Sequence, residues 1–230
     1  MRHVLAASAL TAVLATAGLA PAAAQQDSPF DVSADVAAFS DYVDRGVSLS
    51  GEDPTIQGSF LVEHRAGFYV SGFASLVDDV NDNDVELEGV FGYGFNAGAY
   101  EVDVSASFTS LVGGDALGYF EVTGVVSRDF GLAYLSGGLS YAPDGRWFQQ
   151  GRDTVYGYVQ ADVPIPTLPW LTLLSHVGYE VVDSGIDSAD WGLGLAVTWR
   201  DLELSVGYED SDLDNSLSNA RAVVGLRYYF

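Results

Sequence analysis

From residue 32 to its last residue the chain repeats one device: a run of about ten residues in which apolar and polar side chains alternate, then a connection. Successive side chains of a strand point to opposite faces, so alternation over such a run gives a strand with one apolar face. Twelve runs can be read, over 32–45, 55–64, 67–77, 85–95, 99–109, 119–129, 132–142, 154–163, 170–181, 191–200, 202–209 and 219–230. In 99–109, Tyr100, Val102, Val104, Ala106 and Phe108 oppose Glu101, Asp103, Ser105, Ser107 and Thr109. In 202–209, Leu202, Leu204, Val206 and Tyr208 oppose Glu203, Ser205, Gly207 and Glu209.

Half-buried strands of a soluble sheet would alternate in the same way, so the connections carry more weight. Short ones (65–66, 96–98, 130–131, 200–201) take turns with long ones (46–54, 78–84, 110–118, 143–153, 182–190, 210–218). A proline-rich stretch, 164–169, stands where a short one is expected and reads as a longer turn. A Greek-key sandwich has no reason to keep this rhythm. An up-and-down membrane barrel produces it, with short turns on one side and long loops on the other. The expected fold is therefore all-β: a transmembrane antiparallel up-and-down β-barrel of about twelve strands, apolar outside and polar inside. Aromatics near both strand ends, among them Tyr42, Tyr119, Tyr141 and Trp191 at the long loops and Phe68, Tyr100, Trp170 and Trp199 at the short turns, suit two interfacial girdles.

The first 24 residues stand apart. Arg2 and His3 precede an apolar stretch to Ala20, and Ala22-Ala23-Ala24 offers a small-residue cleavage site. This is the layout of a secretory signal peptide, 1–24, leaving 25–230 as the barrel domain. Beyond it no uncharged apolar run is long enough for a helical span.

There is no cysteine, hence no disulfide or thiolate metal site. Acids outnumber bases 32 to 9, a net charge of −23, and every base is arginine. That balance argues against nucleic acid as a partner. Taken by parity, the polar faces carry Asp35, Asp41, Gln57, Glu63, Glu86, Glu88, Glu101, Asp103, Glu121, His176, Glu180, Glu203, Arg221 and Arg227. Together with Arg45 these charged groups and His176 are the pore-lining candidates. Burying so many charges in a sealed interior is costly, so a water-filled, cation-preferring lumen is expected. The alternative is a non-conducting structural or adhesive barrel whose acidic loops bind ions or partners.

Residues 40–75 carry a more specific pattern. Ser40-Asp41-Tyr42-Val43-Asp44-Arg45-Gly46-Val47-Ser48 is followed by Pro54-Thr55-Ile56-Gln57-Gly58, then Glu63-His64, Gly67-Phe68-Tyr69-Val70 and Ser75. This resembles the proteobacterial TorF-type porin family. The resemblance implies an outer-membrane barrel of porin type in a Gram-negative bacterium and brings no catalytic residues. Within the pattern, Gly46 permits a turn that a Cβ would oppose. Asp41 and Arg45, flanking the end of the first strand, are expected to pair and fold the first loop inward.

Little else suggests chemistry. His64 and His176 are the histidines after residue 24, with no nucleophile motif beside them, and no phosphate loop, dinucleotide fingerprint or zinc spacing occurs. No enzyme activity and no cofactor are expected. The stretches Asp79–Asp84 and Asp210–Asn215 have the spaced acids of calcium loops, but lack the glycine and the final glutamate of an EF-hand; weak divalent-cation binding is the expectation there. The other partners expected are the lipid bilayer, lipopolysaccharide, and the barrel-assembly machinery through the last strand. Residues 219–230 must pair with 32–45 to close the sheet, with Arg221 and Arg227 facing acids of the first strand and Phe230 serving as the assembly signal.

Overall fold

The computed structural model describes residues 28–78, 82–114 and 117–230; segment 1–24 lies outside the described residues. Twelve long strands close into one antiparallel barrel in sequence order. They are β1 (Phe30–Phe39), β4 (Thr55–His64), β5 (Phe68–Leu76), β6 (Val85–Ala97), β7 (Tyr100–Val112), β8 (Leu117–Asp129), β9 (Tyr134–Ala142), β10 (Thr154–Ile165), β11 (Leu168–Val182), β12 (Ser188–Trp199), β13 (Leu202–Ser211) and β14 (Arg221–Tyr229). Two short strands, β2 (Val43–Asp44) and β3 (Val47–Ser48), form a separate hairpin.

The alternation sets which residue faces which side. In β7, Asp103, Ser105, Ser107 and Thr109 are buried inside, whereas Val104 and Phe108 are 50% and 56% exposed on the outer wall. The same parity puts Phe60, Phe91, Leu139, Val159, Leu193 and Leu226 outside. An outer wall this apolar is far larger than the patches that water-soluble proteins tolerate, and matches a lipid-facing surface.

Three expectations need correcting. The first strand ends at Phe39, not at residue 45, because the chain after Ser40 turns into the barrel to make β2 and β3. The stretch 164–169 is not a long turn: β10 and β11 continue through Ile165 and from Leu168, and a register shift at Pro164/Ile165 absorbs the missing proline N–H. Tyr42 and Tyr119 are not girdle residues. At 5% and 8% exposure they lie inside, Tyr119 because it shares the parity of Glu121, and Tyr42 because it follows the end of β1.

Closure happens at the β1–β14 seam. Five residues of β1, Asp35–Phe39, pair with Gly225–Tyr229, whereas β1 and β4 share ten pairs. This short ladder is reinforced by charge. Arg227 Nη1 donates to Asp35 Oδ2 at 2.9 Å, and Arg221 Nη1 to Asp41 Oδ2 at 2.6 Å. The Phe230 N–H adds a bond to the Ala34 carbonyl at 2.9 Å.

Arg227→Ala should therefore weaken closure. It leaves the part-buried Asp35 carboxylate with Ser59 as its remaining side-chain donor; breaking a fully buried pair costs about 3–5 kcal/mol, which sets the upper bound here. The measurement is the urea midpoint of the heat-modifiable folded band, with Asp35→Asn/Arg227→Met expected to recover most of the loss. An unchanged midpoint for Arg227→Ala would show that the seam does not depend on the pair.

Candidate functional site

The β2–β3 hairpin occupies the long-loop mouth of the barrel. Its turn is Asp44-Arg45-Gly46-Val47, with φ of 47° at Arg45 and 75° at Gly46. Two consecutive positive φ values make the two-residue hairpin turn whose twist suits antiparallel strands. Glycine is needed at position 46 for a second reason. A Cβ there would stand 2.5 Å from the Ser211 Cβ and 3.1 Å from the Asp190 Cβ, so the hairpin tip presses on the ends of β12 and β13.

The hairpin base is tied by Asp41. Its carboxylate accepts from Ser48 Oγ at 2.7 Å, Ser50 Oγ at 2.9 Å and Arg221. One side of the hairpin is apolar: Tyr42, Val47 and Leu49 pack with Val77, Leu111, Tyr119 and Trp147, and Phe73 and Leu117 lean on this cluster. The barrel's main apolar core therefore lies at its mouth, between the hairpin and β5–β8.

At the tip, Arg45 reaches across the lumen. Nη1 donates to Glu180 Oε1 at 2.6 Å, and Nη2 to both oxygens of Glu121, at 3.0 and 2.7 Å. The guanidinium also stacks over Tyr156 at 4.1 Å. Arg146, from the β9–β10 loop, donates to Asp44 and lies 3.8 Å from Glu121 and 3.9 Å from Glu180. Two arginines and three acids thus form one buried network. Burial and the adjacent Arg146 oppose the charge on Arg45, but Glu121, Asp44 and Glu180 outweigh them and raise its pKa. For Arg146, too, the carboxylates and Tyr119 overcome the cost of burial. Both stay cationic.

The expected Asp41–Arg45 pair does not form. The loop does fold inward, but Asp41 takes Arg221 while Arg45 passes it to reach Glu121 and Glu180. Both are hairpin residues rather than strand-end residues, because β1 stops at Phe39. Of the other candidates, Glu86 and Glu88 face inward near the mouth, and Thr109 donates to Glu88 at 3.3 Å. Asp103 accepts from Tyr69 at 3.0 Å, and Glu101 from Tyr134 at 2.8 Å, nearer the short-turn end. Glu63 lies at that end of β4. Gln57 donates to Ser75 Oγ at 3.3 Å. His176 stands between Asp190 and Glu209, at 3.5 and 3.4 Å. His64 is at a short turn, its Nδ1 accepting from the Ala66 N–H at 3.1 Å. Arg146, Trp147 and Asp190 were not singled out from sequence; the first two sit in a long loop, where no periodicity points inward.

The acidic stretch 79–84 falls partly outside the described residues. In 210–215, Asp210 accepts from Tyr208 and the Ser211 N–H, and Asp212 from the Ala189 N–H. Among the described residues no three of His, Asp or Glu are arranged to hold a metal ion. In the β9–β10 loop, the hydroxyl of Tyr141 holds Asp153 below the usual carboxylate range.

Beside the hairpin a cavity of ≈ 120 Å³ lies along the inner wall of the barrel. Its lining reaches from Asp41, Tyr42, Gly192 and Glu209 near the long loops to Glu203 and Arg227 near the short turns.

The chain matches the bacterial family of unknown function Gcw_chp over residues 23–227 and belongs to it. No curated protein matches it. Its fold is similar to that of the KdgM porin, at a TM-score of 0.60 and 16% identity, over 86% of this chain and 99% of that one. A KdgM porin in complex with disordered oligogalacturonate matches at a TM-score of 0.58 and 15% identity, over 86% and 99% of the two chains.

Arg45→Ala should release the hairpin. It removes charge-assisted hydrogen bonds worth about 1.5–3 kcal/mol, which raises the open population roughly tenfold to a hundredfold. Limited proteolysis between residues 41 and 54 should accelerate accordingly. Arg45→Lys, which keeps the charge but loses the fork, should fall between. Equal cleavage rates in all three proteins would rule out the latch.

Proposed function

We propose that this member of the Gcw_chp family is an outer-membrane channel for passive diffusion of small polar solutes or ions, with a preference for cations. The observation that carries the reading is the pairing of an apolar outer wall with a charged, partly open interior inside one closed sheet. A backbone crossing hydrocarbon must satisfy its polar groups internally, which a closed barrel does. The porin fold of the KdgM neighbours supports the same assignment, as does the likeness of residues 40–75 to TorF-type porins. By this reading the long loops face outside the cell, the short turns, the start of β1 and the end of β14 face the periplasm, and residues 1–24 direct export. The protein is a channel rather than an enzyme.

Cation preference follows from sign. Acids outnumber arginines in the lumen, and the interior arginines, Arg45, Arg146, Arg221 and Arg227, are all engaged with carboxylates. Oligogalacturonate, present in one KdgM complex, is a chain of carboxylates; an acidic lumen opposes such a solute here.

In a planar bilayer under a salt gradient, the purified barrel should pass current and reverse on the cation side. Reversal on the anion side would refute the selectivity, and a folded, inserted barrel that passes none would refute the channel. Phe230, 72% exposed and edge-on to Tyr228, supplies the last bond of the seam and fits an assembly signal read by the barrel-assembly machinery. Its deletion should reduce the heat-modifiable form in the outer-membrane fraction; an unchanged yield would reject that role.

A further inference from the structure

The lumen is filled unevenly. From β5, β8, β9 and β10 aromatic rings project inward, Tyr69, Phe73, Tyr119, Tyr134, Tyr156 and Tyr158 among them, and cover small inward residues such as Gly92 and Gly138; the hairpin packs its apolar side against this half. On β12–β14 the inward positions are mostly small: Gly192, Gly194, Ala196, Ser205, Gly207, Val223 and Gly225. The long cavity follows that second wall. At Gly207 an added Cβ would meet nothing nearer than 3.6 Å, so the glycine leaves open space rather than relieving a clash.

The charges are uneven as well. In register, Arg221 stands opposite Glu209 and Arg227 opposite Glu203. Both arginines turn away from these neighbours, to Asp41 and Asp35 across the seam. Glu209 is left with His176 at 3.4 Å, and Glu203 with the Tyr229 hydroxyl at 3.3 Å. Among the described residues neither acid forms an ion pair with arginine, and both line the cavity, at opposite ends of β13.

We propose that solutes cross by a single lane along the β12–β14 wall, whose width is set at Gly207 and whose cation preference is set by Glu203 and Glu209. The hairpin and the aromatic half of the lumen form the fixed opposite bank. The site would take small hydrated or organic cations, since two carboxylates face the lane while the nearest guanidiniums are already neutralised. This rests on the channel reading above.

The test compares single-channel conductance of the full protein with Gly207→Leu, Glu209→Gln, Glu203→Gln and the outward-facing control Gly124→Leu, each first shown to give the heat-modifiable folded band. Gly124 tolerates a side chain, with nothing within 4 Å of a Cβ. The expected result is a severalfold drop in conductance for Gly207→Leu, none for Gly124→Leu, and a reversal potential that moves toward zero for both glutamate variants. Because the chain has no cysteine, Ser205→Cys and Ser107→Cys add an independent readout. A cationic thiol reagent should modify the first, in the lane, and spare the second, on the filled wall. If the parent conducts but Gly207→Leu conducts equally, or if the two cysteines react alike, the lane is overturned while the channel stands. If the folded parent passes no current, the channel reading itself falls, and the lane with it.

Discussion

A sheet with an apolar outer face cannot leave an edge. Each unpaired backbone N–H or C=O in hydrocarbon costs several kcal/mol, so the first and last strands must find each other. Here they do so over only five residue pairs. The ladder is bounded at both ends: β1 leaves the wall after Ser40 to build the hairpin, and β14 stops at Tyr229, opposite Asp35, while β1 extends back to Phe30. What the ladder loses is offset by side chains. Arg227 and Arg221 cross the seam to Asp35 and Asp41, and Asp41 belongs to the same departing segment. Seam and hairpin are thus one construction, with Asp41 holding the β14 arginine in one direction and the hairpin serines in the other.

Scarcity of base makes these choices consequential. With 9 arginines against 32 acids, an arginine placed at one site is denied to another. Four are committed inside the barrel, two at the seam and two in the mouth network around Glu121 and Glu180. Each neutralises acids that would otherwise be buried alone, the costly case for a charge out of water. Glu203 and Glu209, left without arginine, line the cavity, where water can solvate them, whereas Asp103 and Asp190 are met by the hydroxyls of Tyr69 and Tyr156 instead.

The wall of the barrel was legible because period-two alternation is local: Tyr100 to Thr109 declare their faces without reference to any other strand. The seam was legible for a related reason, since a closed sheet leaves β14 no partner but β1, and parity then brings Arg227 to Asp35. The mouth was not. Which carboxylate Arg45 meets depends on how far the hairpin reaches across the lumen, and Glu121 and Glu180 are 76 and 135 residues away in the chain. Asp41, four residues away, is the nearer partner only in a first strand that runs to residue 45, and β1 stops at Phe39. Tyr42 misled in the same way, and Trp147 and Arg146 sit in a loop without any periodic signal. The prolines of 164–169 show the opposite error, a strong turn signal overridden because a register shift lets the strand ends accommodate them.

The two halves of the lumen also differ in what holds them in place. The β5–β8 side has an apolar cluster in which Tyr42, Val47 and Leu49 of the hairpin are buried to a few per cent exposure, so moving the hairpin would expose that surface to water. Burial of this kind stabilises at roughly 25 cal/mol per Å² of apolar area. The charged tip adds direction: Arg45 accepts only positions where its planar fork meets Glu121 and Glu180 together. An apolar back and a forked tip define one resting position, whereas either alone would allow the hairpin to slide. On the β12–β14 side the hairpin meets only the rim, where Gly46 lies against Ser211 and Asp190 and where Leu213 and Leu217 lean on the cluster; below the rim the strands are held by their ladders. For the channel proposed above, closure to lipid and passage of solute would be divided between the two banks, one packed from mouth to mid-lumen and the other touched by the hairpin only at its rim.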